Sequence, residues 1–178
     1  EITWFYVSTS NSAGTINPEP DSYVTYNYIE NAWSIGTMDR TVWSDSFGAR
    51  DVPFAFDPNG LLYNHETGTS DNGSAMSSYI ESSPREITQN GENLFMVDRV
   101  IPDVTMTSDT NLYFNLNSRK YPNATEVVKG PFTITSTTQK VSTRAKGRQI
   151  AMKIYSTGTT DEWSIGDFRI NAREDSLR

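Results

Sequence analysis

Apolar and polar residues alternate along most of this chain, in short runs broken by Gly, Pro, Asn and Asp. A period of two marks strands with one buried face. Ile2-Thr3-Trp4-Phe5-Tyr6-Val7 reads as a strand already under way, and residues 8–21, mostly Ser, Thr, Asn, Gly and Pro, read as a loop. Residues 22–28 alternate, with Val24, Tyr26 and Tyr28 on one face. Ile29-Glu30-Asn31 turns the chain, and Ala32-Trp33-Ser34-Ile35-Gly36 returns it. Strands are also expected over 40–43, 53–56 and 61–65. The last two are joined by Asp57-Pro58-Asn59-Gly60, a turn with Pro at its second position and Gly at its end. Tyr-Asn, a short turn, then Trp on the partner strand is a hairpin pattern of β-propeller blades, which bury an aromatic between neighbours. Residues 1–66 supply roughly one and a half blades where a propeller needs at least about four. A larger whole, or strands from elsewhere, is therefore expected to complete it.

Residues 67–76 read as a linker. Beyond it strands are expected over about 77–82, 94–101, 111–118, 130–135, 139–144, 148–156 and 162–171, with 77–82 also readable as a helical turn. Leu112, Phe114 and Leu116 share a face, as do Ile150, Met152 and Ile154, and Asn90-Gly91 has the look of a hairpin turn. Short strands at this spacing predict a β-sandwich over 77–178. The expected fold is thus all-β: partial β-propeller blades over 1–66, a linker over 67–76, and the sandwich. One internal echo joins the halves. Trp33-Ser34-Ile35-Gly36 recurs as Trp163-Ser164-Ile165-Gly166, too short a match to show duplication.

Composition sharpens the β reading. Of 178 residues, 20 are Ser, 21 Thr and 14 Asn, and aromatics make up 12%. Thr and aromatics suit a pleated, half-buried surface, and Asn and Ser suit its turns. There is no Cys, which removes disulfide scaffolds, thiolate zinc sites and thiol catalysis. The longest apolar runs, such as Leu94-Phe95-Met96-Val97, are far short of the ~20 residues of a membrane-spanning helix. No leader-like segment with a charged start and an apolar stretch is present. The net charge of −7 excludes a generally basic nucleic-acid binder. Residues 1–90 hold 12 acids and 3 bases, and 91–178 hold 10 acids and 12 bases, so the acidity belongs to the first half. A solvated acidic surface is the plain alternative to a functional one.

Little of the chemistry selects a catalytic site, and no cofactor or metal site is expected. His65, the one histidine, precedes Glu66, but no second His or Gly-x-Ser-x-Gly elbow accompanies it, so a strand-end structural role is expected. Asp39, Asp45, Asp51 and Asp57 fall on different elements and lack calcium-loop spacing, so surface roles are expected. Asn72-Gly73-Ser74 and Asn123-Ala124-Thr125 match the glycosylation pattern, which is short enough to arise by chance. Arg144-Ala145-Lys146-Gly147-Arg148-Gln149 is the densest basic stretch. On one extended strand Arg144, Lys146 and Arg148 would point the same way, as a dock for an acidic partner or as salt-bridging residues of the fold.

Taken in order, the Tyr-Asn…Trp hairpin, the Asp57–Glu66 turn and strand, and the basic run at 144–149 resemble the C-terminal part of short-tailed bacteriophage tail nozzle proteins. These are the tail tubular protein B-like, or packaged-DNA stabilisation, proteins. Trp33-Ser34-Ile35-Gly36 with Arg40 and Trp43, Pro102-Asp103, Tyr121-Pro122, Gly130-Pro131-Phe132 and Trp163-Ser164-Ile165-Gly166 with Arg169 extend the likeness from about residue 22 onward. The chain departs from it at Asp175-Ser176-Leu177-Arg178, where such proteins tend to have Asp-Gly-Arg. The resemblance implies a non-enzymatic virion tail component. It would form a sixfold ring with copies of itself, contact the tail adaptor and fibres or spikes, and let genomic DNA pass without membrane insertion. An acidic lining would repel the DNA phosphates. A competing reading is a carbohydrate-binding β-sandwich of a tail spike or extracellular enzyme, with Trp43, Tyr63 and Trp163 stacking on sugars. A glycan-cleaving enzyme, the third option, would need two carboxyl groups about 5–10 Å apart in a cleft.

Overall fold

The computed structural model describes residues 1–14, 18–87 and 93–176. Among the described residues the fold is all-β, built of several sheets of which none closes into a barrel, with one short helix. The chain divides into two compact units, Glu1–Gly68 and Thr69–Arg178.

The first unit holds two antiparallel meanders. One is β1 (Ile2–Tyr6), β2 (Ser22–Asn27) and β3 (Ala32–Thr37), with the single-turn helix α1 (Thr9–Ser12) between β1 and β2. The other is β4 (Val42–Ser44), β5 (Phe54–Phe56) and β6 (Leu62–Asn64). Each has three strands where a propeller blade has four. The two ends of the segment read as a loop over 8–21 meet at Asp21, whose carboxylate accepts the Ser8 amide at 2.7 Å and the Ser8 hydroxyl at 2.6 Å. These bonds hold its pKa below the ordinary carboxylate value, the hydroxyl contributing most. Asp57 does the same for the β5–β6 turn, its Oδ1 accepting the amides of Asn59 at 2.9 Å and Leu61 at 2.8 Å. The Leu61 amide is the chief cause of its lowered pKa, with Asn59 and the Arg40 charge adding to it against the opposing effect of burial.

The period of two places the side chains of the first meander. Phe5 and Tyr23 share its inner face, and Phe5 packs against Trp43 of β4 with ring centroids 5.6 Å apart. Gly36 lies opposite Tyr23 on the same face, and the tyrosine ring covers it so closely that any Cβ there would meet the ring. Ala55, fully buried, lies between Trp43 and Tyr63 in the strand register of the second meander.

The second unit starts inside the stretch read as a linker. There β7 (Ser70–Asp71) and β8 (Ser74–Ala75) form a hairpin whose central residues, Asn72 and Gly73, have φ of 47° and 84°. Both positive values suit an Asn-Gly turn. There follow β9 (Ser78–Glu81), β10 (Arg85–Glu86), β11 (Leu94–Ile101), β12 (Val104–Met106), β13 (Leu112–Arg119), β14 (Val127–Ile134), β15 (Val141–Gly147), β16 (Gln149–Ser156), β17 (Trp163–Ile165) and β18 (Arg169–Ser176). One layer runs β10-β16-β13-β14, with β9 also on β16, and the other runs β15-β11-β18. Leu112, Phe114, Leu116, Ile134, Ile150 and Ile154 from the first layer meet Phe95, Val97, Val100, Val141 and Ala145 from the second in one core. Two sheets burying their facing sides against each other make a sandwich.

Strict alternation in β13 explains that core, since every second residue from Leu112 to Ser118 is buried. The single strand expected over 162–171 is two strands. The amide of Gly166 turns back to the Asp103 carbonyl at 2.8 Å, ending the β12–β17 pair before β18 begins. Segment 77–82 is the edge strand β9, not a helical turn. Strands β10 and β12, only two and three residues long, were below the length that periodicity can register. The expected Asn90-Gly91 turn lies outside the described residues.

Candidate functional site

The basic row does not survive as a row. Arg144 and Lys146 lie on the exposed side of β15, which ends at Gly147. Arg148 then carries the chain from the β15 layer to β16 in the other layer, its amide donating to the Arg119 carbonyl at 2.9 Å. Its guanidinium lies 4.8 Å over the Tyr121 ring and donates to the Lys120 carbonyl at 3.3 Å. A change of sheet breaks the alternation that would have aligned it with Arg144 and Lys146. Lys146 is ion-paired with Asp175 of β18.

His65 follows β6 and is half-buried in the first unit. Its ring packs on Trp43 at 4.6 Å, its Nε2 accepts from Arg40 Nε at 3.2 Å, and its amide bonds the Pro53 carbonyl at 2.8 Å. Arg40 also covers the Tyr63 ring at 4.4 Å. This cluster joins strand ends and is filled with its own partners. Asp39, Asp45 and Asp51 are exposed, and Asp45 accepts the Trp43 indole N–H at 2.9 Å. Asp57 departs from the expected surface role, because its carboxylate is consumed by the turn. Among the described residues no group of three His, Asp or Glu side chains is placed to hold a metal ion.

The three aromatics expected as sugar platforms are not free faces. Trp43 lies between Phe5 and His65, and Tyr63 lies under Arg40. Trp163 packs on the sandwich core and donates its indole N–H to Ser156 Oγ at 3.0 Å.

The free aromatics lie elsewhere. The outer face of the first meander carries Ile2, Trp4 and Tyr6 on β1, Val24 and Tyr26 on β2, and Trp33 and Ile35 on β3. Trp4 is 46% exposed, Trp33 63% and Ile35 71%. Trp33 stacks on Tyr26 at 4.5 Å and on Trp4 at 6.0 Å, so the rings form one aromatic stack that spans three strands. A contiguous apolar surface of this kind marks an interaction face. Sequence reasoning put Val24 and Tyr26 on one face but did not join Ile2, Trp4, Tyr6, Trp33 and Ile35 to it, although their positions in the alternation place them on the same side. Tyr28 belongs to the turn after β2 and not to that face. The echo illustrates the difference of context: Trp33 is open to solvent, and its counterpart Trp163 is packed on a core.

No protein-family model matches the chain, and no curated protein does.

Proposed function

We propose that this chain is a non-enzymatic structural component of a bacteriophage tail, nozzle-like, which works in a ring with copies of itself and docks adaptor and fibre or spike proteins. The observation that carries the proposal is the apolar face of the β1–β2–β3 meander, a blade-like sheet with stacked aromatics left exposed among the described residues. In a ring its occupant is a sheet of the neighbouring copy, which buries Trp4, Trp33 and Ile35 as one blade buries the next. The ordered motifs over residues 22–178 support the family, and the acidic balance of residues 1–90 suits a passage that must not hold DNA.

Electron microscopy of the parent particle, with the chain fitted into the density, tests the assignment. Density for it at the tail tip is expected, with the Trp33 face against a neighbouring subunit. A position in the capsid or in a fibre away from the tip would overturn the reading. Sedimentation velocity adds a test in solution. The chain should self-associate, and Trp33→Lys with Ile35→Lys should return it to monomer. A wild-type chain that stays monomeric at high concentration would remove the support that this face gives.

A further inference from the structure

The outer face of the sandwich layer β10-β16-β13-β14, away from the core, holds a second surface that the tail reading does not use. Its pairing register sets Tyr155 beside Tyr79 and Lys153 beside Glu81. Tyr113 lies on the far side of Tyr155, with ring centroids 5.3 Å apart. An open cleft of about 470 Å³ lies here, lined by Ser77, Tyr79, Asn115, Lys153, Tyr155 and Thr157.

The lining chemistry is specific. Lys153 Nζ is 3.2 Å from a Glu81 carboxylate oxygen and 4.7 Å over the Tyr79 ring. The one cation that lines the cleft is therefore matched by an anion, and the surface has donors and acceptors without net charge. Asn115 Oδ1 is buried with no hydrogen-bond partner and lies beside Gly130 of β14, where a Cβ would come within 2.7 Å of it. Lys153 lies over one face of Tyr79 as Arg40 lies over Tyr63, but Tyr79 remains 56% exposed, so it is open where Tyr63 is half-buried. Flat rings, an amide, hydroxyls and a neutralised ammonium–carboxylate pair suit a ligand that is itself flat, hydroxyl-rich and uncharged. Because Lys153 is already paired with Glu81, the cleft offers no unpaired charge to select a charged ligand.

We propose that this cleft binds uncharged glycan chains, with Tyr79 and Tyr155 against sugar rings and Lys153, Glu81 and Asn115 bonding to hydroxyls. The test is saturation-transfer NMR on the full chain with four probes: maltohexaose, mannohexaose, N-acetylglucosamine hexaose and, as the charged arm, hexagalacturonate. At least one neutral hexaose should give transfer at millimolar concentration, about the weakest affinity worth measuring. Amide shifts should fall within 77–81, 113–117 and 151–157. Tyr79→Ala and Lys153→Met should each weaken binding about tenfold or more, a loss of ~1.4 kcal/mol. Tyr79→Phe keeps the ring and should bind within about threefold of wild type. Both residues are at least partly exposed, and an unchanged urea midpoint will show that the variants are folded. Silence from every neutral hexaose, transfer from hexagalacturonate alone, or shifts confined to other surfaces would each overturn the proposal.

Discussion

Phe114→Ala is the sharpest test of the sandwich. Phe114 is fully buried on β13, with its ring 6.2 Å from Phe132 in its own layer and 6.0 Å from Phe168 in the segment between β17 and β18. A phenylalanine ring hides roughly 150 Å² or more, and at about 25 cal/mol per Å² its loss is worth ~4 kcal/mol. Truncations of this kind cost about 3–5 kcal/mol once the residual cavity is included. With a urea slope near ~2 kcal/mol per molar, the midpoint should fall by about 2 M. Fluorine-labelled tryptophan supplies the assay. Trp163 is the one tryptophan of the second unit, whereas Trp4, Trp33 and Trp43 report on the first. The Trp163 resonance should follow the shifted transition. Should alanine prevent folding, Phe114→Leu is expected to lose about 1 kcal/mol and keep the same ordering. A loss below about 1 kcal/mol for Phe114→Ala would mean that the two layers do not close around this ring.

Three further outcomes follow from the geometry. The Asp57 carboxylate is held below its ordinary pKa of 3.8, so its contribution to stability is complete above that value and is lost as pH falls through the lower folded one; Asp57→Asn should flatten this acid limb of thermal stability in the first unit, and an unchanged limb would contradict it. The Lys146–Asp175 pair is partly exposed, with side chains 42% and 33% accessible, so Lys146→Ala should cost no more than about 1 kcal/mol in urea unfolding; a loss well above that would show the pair to be structural. In hydrogen exchange of the monomeric chain, amides of 94–118 and 148–171 should outlast those of 1–45, because the former border the buried core and the latter an open face; the reverse order would refute this.

Much of the fold is legible in the sequence wherever one face is wet and the other dry. Residues 94–101 match β11 residue for residue, and Leu112, Phe114 and Leu116 point inward as the alternation requires. Legibility fails where tertiary context replaces period. Nothing local in Arg144-Ala145-Lys146-Gly147-Arg148 tells that the chain leaves one layer after Gly147, so three cations in alternation looked like one row. The same holds for Trp43, Tyr63 and Trp163. Their residue type suggested sugar platforms, but Phe5, His65, Arg40 and Ser156, which occupy them, come from other strands or loops. The Tyr79–Tyr155 cleft was hidden for a related reason, since it arises from pairing residues 72 or more positions apart.

The passage through Arg148 has a mechanical side. Strands β15 and β16 belong to opposite layers yet are joined by that single residue, which is pinned through its own amide to Arg119. A pull along β15 is handed at once to β16, with no slack loop to absorb it. Shear of one layer past the other must therefore either stretch the Arg148–Arg119 bond or rotate both layers together. Residues inserted at 147–149 would turn this stiff corner into a hinge while leaving both layers of the core intact.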